Sequence, residues 1–148
     1  MIDYCKAEES RIEEIMALEK ECFSPPWTEG TVLSELYNSD TFFTVASEED
    51  IVGFIIMRRL GDEAEVFQIA VTEARRRAGI GSALLGKALK DADERGIQSV
   101  YLEVRAGNPA AMRLYEKHGF RKAGTRKNYY EAPRENAVVM KRGRCWQK

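Results

Sequence analysis

Between Ala64 and Gly96 the chain carries three successive signals that leave few ways to fold. Ala64–Val71 is apolar enough to lie centrally in a β-sheet. Arg75-Arg76-Arg77-Ala78-Gly79-Ile80-Gly81-Ser82 follows it. Gly79–Arg95 then places Leu84, Leu85, Ala88, Leu89 and Ala92 on one helical stripe, and Gly96 is a natural C-terminal stop. A strand that passes through a glycine turn into an amphipathic helix needs that helix to cover a sheet face, which points to a mixed α/β fold.

The flanking segments agree. Residues 9–22 carry Ile12, Ile15, Met16, Leu18 and Cys22 at near-helical spacing, and Thr28 can cap a second helix through Leu36 after the break at Ser24-Pro25-Pro26-Trp27. Thr41–Ala46 and Ile51–Arg58 read as strands joined by the polar turn Ser47-Glu48-Glu49-Asp50. Ser99–Arg105 alternates, with Val100, Leu102 and Val104 on one face and Tyr101, Glu103 and Arg105 on the other. Asn108-Pro109 is a cap followed by a first-turn proline, opening a helix that ends at Gly119, and strands near Lys122–Tyr130 and Ala137–Arg142 close the chain. The predicted order is α, α, β, β, β, α, β, α, β, β, and no linker or repeat divides it. One domain over residues 1–148 is expected.

Convergent backbone N–H groups at a helix start favour an anion, glycines let the main chain approach it, and three arginines add charge. Taken alone, Gly79-Ile80-Gly81 fits an anion site and a plain capped turn equally well. It is not a P-loop, since no Lys-Ser/Thr follows, and Leu84 stands where a dinucleotide fingerprint would place its third glycine.

Charge divides at this loop. Residues 1–74 hold 5 Lys/Arg and 17 Asp/Glu, a balance of -12, while residues 75–148 hold 18 and 7, a balance of +11. Either the two halves attract each other across one domain or each meets a partner of opposite sign. Cys5, Cys22 and Cys145 show no metal-ligand spacing, and His118 alone cannot support a metal. Without a signal-peptide pattern or an apolar run near the ~18 residues of a membrane span, the expectation is a cytoplasmic chain with free thiols.

The pattern Arg76-x-x-Gly79-x-Gly81, after Val66–Val71 and before an amphipathic helix, resembles the coenzyme A pyrophosphate loop of the GNAT superfamily of N-acetyltransferases. Tyr101–Phe120, with Asn108-Pro109-Ala110-Ala111, together with Arg126-Lys127-Asn128-Tyr129-Tyr130 and the early Pro26-Trp27-Thr28, is similar to the RimI group of bacterial ribosomal-protein alanine acetyltransferases, so the likeness spans nearly the whole chain. The resemblance implies a mixed, mostly antiparallel sheet flanked by helices. It implies acetyl-CoA as cosubstrate and no metal. The loop residues Arg76, Arg77, Ala78, Gly79, Ile80, Gly81 and Ser82 would hold the pyrophosphate, and Ile69, Ala70, Val71 and Asn108 the pantetheine and thioester. Trp27, Tyr129 and Tyr130 would line the acceptor groove. Gln68 stands where related sequences often carry Asn, and Ala78 where a polar residue or glycine is common.

Acetyl transfer needs a proton removed from the attacking amine and one given to the departing thiolate. By resemblance Glu103 is the proton acceptor and Tyr115 the proton donor. An α-amine, with a reference pKa of ~7.7–8.0 against ~10.4 for lysine, costs roughly 3.5 kcal/mol less to deprotonate at neutral pH. Read from the residues alone, Glu103 equally fits a surface pair with an arginine, Tyr115 a packed aromatic beside Leu114 and Phe120, and His118 a favourable positive charge at a helix end.

The expected activity is acetylation of a protein N-terminal α-amine, by resemblance the N-terminal alanine of small-subunit ribosomal protein eighteen. The expected partners are acetyl-CoA and that N-terminal peptide, with no membrane and no nucleic acid. A GNAT enzyme acting on a lysine side chain or a small-molecule amine is the first alternative. A noncatalytic RNA- or ribosome-binding module, using the basic half, is the second.

Overall fold

The computed structural model describes residues 1–131 and 133–143. Cys145, one of the three cysteines read above, lies outside the described residues. The elements run β1 (Asp3–Lys6), α1 (Ile12–Cys22), α2 (Glu29–Leu36), β2 (Thr41–Glu48), β3 (Asp50–Leu60), β4 (Glu63–Val71), α3 (Ile80–Glu94), β5 (Ser99–Arg105), α4 (Pro109–Lys117), β6 (Arg121–Glu131) and β7 (Arg134–Gly143). Short 3-10 turns at Glu9–Arg11 and Glu73–Arg75 precede α1 and the glycine loop. The strands form one sheet in the order β1-β2-β3-β4-β5-β7-β6. Every pairing is antiparallel except β4 with β5. The mixed, mostly antiparallel sheet flanked by helices is as expected.

Two apolar layers sandwich the sheet. Successive residues of β3 point to opposite faces. Ile55 and Met57 join Leu84, Leu85, Ala88 and Leu89 of α3, while Phe54 and Ile56 join Ile15 and Leu18 of α1 and Val32 of α2. Because both faces are covered, Ile51–Met57 is a continuous buried run rather than an alternating one. Leu84 and Leu85 are wholly buried, so truncating either to alanine would cost about 2–5 kcal/mol.

The predicted caps form. Thr28 Oγ1 accepts the Thr31 N–H at 3.2 Å, and Asn108 Oδ1 accepts the Ala111 N–H at 3.1 Å with Pro109 in the first turn. At the end of α3, Gly96 adopts φ +74° and the Ile97 N–H reaches back to Ala92 O at 3.0 Å, a Schellman closure. The sequence reading lacks β1, which pairs with β2 from Asp3↔Ser47 to Lys6↔Thr44. Four residues at a sheet edge, one of them half-buried and three exposed, are too short to carry a legible period. The turn after β2 is also tighter than expected: the ladder runs to Glu48↔Asp50 around Glu49, at φ +69°.

β4 and β5 pair through Glu63↔Ser99, Ala64↔Val100 and Glu65↔Tyr101, and the ladder stops there although β4 continues to Val71 and β5 to Arg105. The two strands diverge into a fork. No helix among the described residues is long and apolar enough to cross a membrane, and no cluster of side chains there could hold a metal ion.

Candidate active site

The fork opens into a cavity of about 840 Å³. Its walls are Cys22–Trp27 after α1, Glu65–Ile69 of β4, Leu102–Arg105 of β5, Asn108, Ala111 and Tyr115 at α4, and Tyr129–Glu131 of β6. Glu103, Tyr115, Asn108, Ile69, Trp27, Tyr129 and Tyr130, separated widely in sequence, thus face one space.

Alternation along β5 turns Val100, Leu102 and Val104 into the core beneath α3 and leaves Glu103 on the opposite face. Its Oε1 accepts a hydrogen bond from Arg126 Nη1 at 2.9 Å, and its Oε2 is buried with no partner among the described residues. The arginine pair foreseen as an alternative for Glu103 therefore exists, and it occupies one oxygen of two. Glu65, on the neighbouring strand, also lines the cavity; burial first, then the nearby Glu103 charge, push its carboxyl above the usual range, with Arg126 opposing. Sequence reasoning overlooked Glu65. An acidic side chain at an alternating position inside an otherwise central strand was the available signal.

Tyr115 lies on the inward face of α4, edge-on to Phe120 with ring centroids 6.0 Å apart. Burial raises its pKa, so the hydroxyl keeps its proton at neutral pH. Tyr130 is pushed to about 12, by burial first and then by Glu103 and Tyr129. Arg105 stacks over the Tyr130 ring at 4.3 Å and Arg126 over Tyr129 at 5.0 Å, fixing the aromatic rim. Trp27 meets Phe67 edge-on at 6.1 Å.

The glycine loop sits beside this cavity rather than in its lining: Arg76 to Ser82, Ala70 and Val71 are not among the wall residues. It joins the cavity through the end of β4, where Val71 O accepts from Arg76 Nε at 3.0 Å and from the Cys22 thiol at 3.6 Å. Gly79 adopts φ +82° as the cap of α3, and a Cβ there would meet nothing within 4 Å. The space over the loop is open. The first N–H groups of α3 have no partners within the helix, which leaves donors at this end for an anion. Arg77, at φ +66°, lies in the same turn. These features fit a phosphate-bearing ligand.

His118 requires a correction. The helix-end reading needs an imidazolium, whereas burial, with Lys117 and Arg142 nearby, pushes the His118 pKa down. Its Nε2 instead lies 2.8 Å from Ser82 Oγ and ties α4 to the first turn of α3. The charge split also resolves in part. Arg75–Glu48 bridges the two halves at 2.9 Å, but Glu35–Arg58, Glu103–Arg126, Glu135–Arg105 and Asp93–Arg142 each close within one half.

Comparison with known proteins adds an independent observation. Residues 12–120 match the model of the acetyltransferase (GNAT) family. The [ribosomal protein bS18]-alanine N-acetyltransferase of Haemophilus influenzae is 38% identical over 131 residues, 86% of this chain and 89% of that protein. Its counterpart in Escherichia coli K12 is 37% identical over 125 residues, 83% and 84%. Among solved structures, the ribosomal-protein-S18-alanine N-acetyltransferase of Escherichia coli superposes with a TM-score of 0.89 at 32% identity, covering 97% of this chain and 94% of that one. Ard1 of Thermoplasma volcanium superposes with a TM-score of 0.89 at 30% identity, covering 96% and 97%.

Proposed function

This chain belongs to the GNAT family of acetyltransferases, and we propose that it carries the acetyl group of acetyl-CoA to the N-terminal alanine of ribosomal protein bS18, as its similar relatives are named for doing. The observation that carries the reading is the fork between β4 and β5, where a carboxylate with one unpartnered oxygen and a protonated phenol face one cavity. Acetyl-CoA supplies the activated acetyl group as cosubstrate. The N–H cradle from Arg76 to Ser82 is the seat for its pyrophosphate, and Ile69, Ala70, Val71 and Asn108 flank the arm that leads to the thioester.

Glu103 takes the proton from the acceptor amine through Oε2, directly or across one water, while Arg126 holds Oε1. As the amine nitrogen bonds to the acetyl carbon it releases its second proton to solvent, the carbon–sulfur bond breaks and Tyr115 gives its proton to the departing sulfur. The cavity then returns to its starting state by exchanging the Tyr115 and Glu103 protons with solvent. Trp27, Tyr129 and Tyr130 form the acceptor wall. We place this single acetyltransferase domain, residues 1–148, in the cytoplasm, and the free thiols of Cys5 and Cys22 suit that reducing compartment.

Purified protein with acetyl-CoA and peptides beginning with Ala, with Ser, or blocked at the N-terminus tests the assignment by mass spectrometry. The alanine peptide gains one acetyl group at its α-amine. Acetylation of the blocked, lysine-bearing peptide alone would replace this assignment with side-chain acetylation.

A further inference from the structure

Below the acceptor wall lies a group that the transfer chemistry leaves unused. Glu19 of α1 is wholly buried, an uncommon place for a carboxyl, and no cation pairs with it among the described residues. Its Oε1 accepts the backbone N–H of Trp27 at 2.9 Å and the side-chain amide of Gln68 at 3.2 Å. Gln68, on β4, is itself only 6% exposed. The other oxygen of each side chain, Glu19 Oε2 and Gln68 Oε1, is buried and lacks a partner among the described residues. Two buried acceptors in one bonded pair lack a donor, which is costly unless something supplies one. Burial raises the Glu19 pKa, and the acid form carries a proton that can serve there.

The position of this pair gives it a use. Trp27 ends the Cys22–Trp27 segment that forms one wall of the cavity, and Gln68 belongs to the β4 segment that forms the adjoining wall, with Trp27 edge-on to Phe67. Glu19 bonds to both. We propose that Glu19, with Gln68, is a positioning residue for acceptor binding: it pins the Trp27 segment to β4 and so fixes the width of the groove that receives the acceptor's first residue. The role rests on the transfer reading above. It concerns the acceptor side alone, because neither residue touches the glycine loop through any bond described.

Three variants in a W146F background, which leaves Trp27 as the sole tryptophan, test it. E19L removes both bonds. E19Q keeps an acceptor for the Trp27 N–H and adds an amide donor for Gln68. Q68L cuts the tie to β4 alone. The loss of one satisfied buried N–H predicts a roughly tenfold rise in KM for an alanine peptide with E19L. The same variant keeps kcat and the acetyl-CoA Kd within about twofold, since neither reports on the acceptor wall. E19Q restores native KM, and Q68L falls between. Acrylamide quenching of Trp27, measured without any substrate, increases in E19L and Q68L and not in E19Q. Should E19L fail to fold, Q68L and E19Q carry the comparison. Native KM with native quenching in Q68L or E19L, or a parallel loss of kcat and acetyl-CoA affinity, would overturn the proposal. No turnover by the native chain on any peptide would instead overturn the transfer reading, and the acceptor role with it, whatever the quenching shows of the Trp27 segment.

Discussion

Arg126 Nη1 lies 2.9 Å from Glu103 Oε1, and the second oxygen of that carboxyl stays buried without a partner. The pair crosses from the outermost strand, β6, to β5, so a largely exposed cation steadies a mostly buried anion. The division of labour between the two oxygens makes a surface-type ion pair compatible with proton transfer.

Glu103→Gln keeps the shape of the wall and removes the acceptor, so turnover on an alanine peptide falls by about 10²–10⁴-fold. Arg126→Met releases Oε1 from its partner, and turnover on the same peptide falls by about tenfold. Steady-state rates of both variants beside the native chain on one alanine peptide check both. Native turnover in the glutamine variant would assign the proton to another group.

Tyr115→Phe leaves the edge contact with Phe120 in place and deletes only the hydroxyl. Turnover drops by about 10²-fold or more while the peptide KM and the melting temperature stay near native. Steady-state kinetics beside a melting curve checks it, and unchanged turnover would return Tyr115 to a packing role.

Gly79→Ala places a side chain at φ +82° with no atom near enough to clash, so its cost is backbone strain alone, about 1–2 kcal/mol. The strain distorts the N–H cradle, and acetyl-CoA affinity measured by calorimetry falls while acceptor preference is kept. Equal affinity in the variant would mean that the loop does not hold the phosphates.

The folded chain holds His118 below its ordinary pKa of 6.5, through burial first, then Lys117 and Arg142. Between that lowered value and 6.5 the unfolded chain binds more protons, so stability from the neutral ring is complete above pH 6.5 and is lost as pH falls through the folded value. His118→Gln therefore melts with a shallower dependence on pH below neutrality than the native chain. Denaturation at a series of pH values compares the two slopes, and identical slopes would refute the ring's contribution.

Glu65 and Glu131 line the cavity, with Arg105 committed to Pro133 O, Glu135 and the Tyr130 ring. Glu65→Gln with Glu131→Gln should weaken peptides carrying Lys or Arg near their start, and leave uncharged peptides and acetyl-CoA binding unchanged. Competition assays with matched peptides separate these outcomes. A uniform loss would mean that the acidic wall acts on chemistry rather than on choice.

Much of this architecture was legible because its determinants are local. Thr28 and Asn108 cap their helices through side chains three residues from their donors, and Gly96 stops α3 by its own backbone freedom. β1 was not legible, because its four residues gain their meaning from β2, some forty positions later. The fate of His118 was hidden for the same reason: its ring answers to Ser82, and a helix-end argument sees only α4. Glu19 carries no local mark that separates it from the other 16 acidic residues of the first half. Only the meeting of α1, the Trp27 segment and β4 turns it inward.

The three rungs that join β4 to β5 divide the sheet into two leaves, β1 to β4 on one side and β5, β7 and β6 on the other. Beyond Glu65 and Tyr101 the inner edges run apart, and their main-chain groups wait for something linear to lie between them. A molecule bound there stands in for the missing rungs and braces one leaf against the other. Its affinity is then also cohesion of the sheet, about 2.7 kcal/mol at a concentration one hundred times its Kd. A loaded molecule is a more tightly sewn fabric than an empty one.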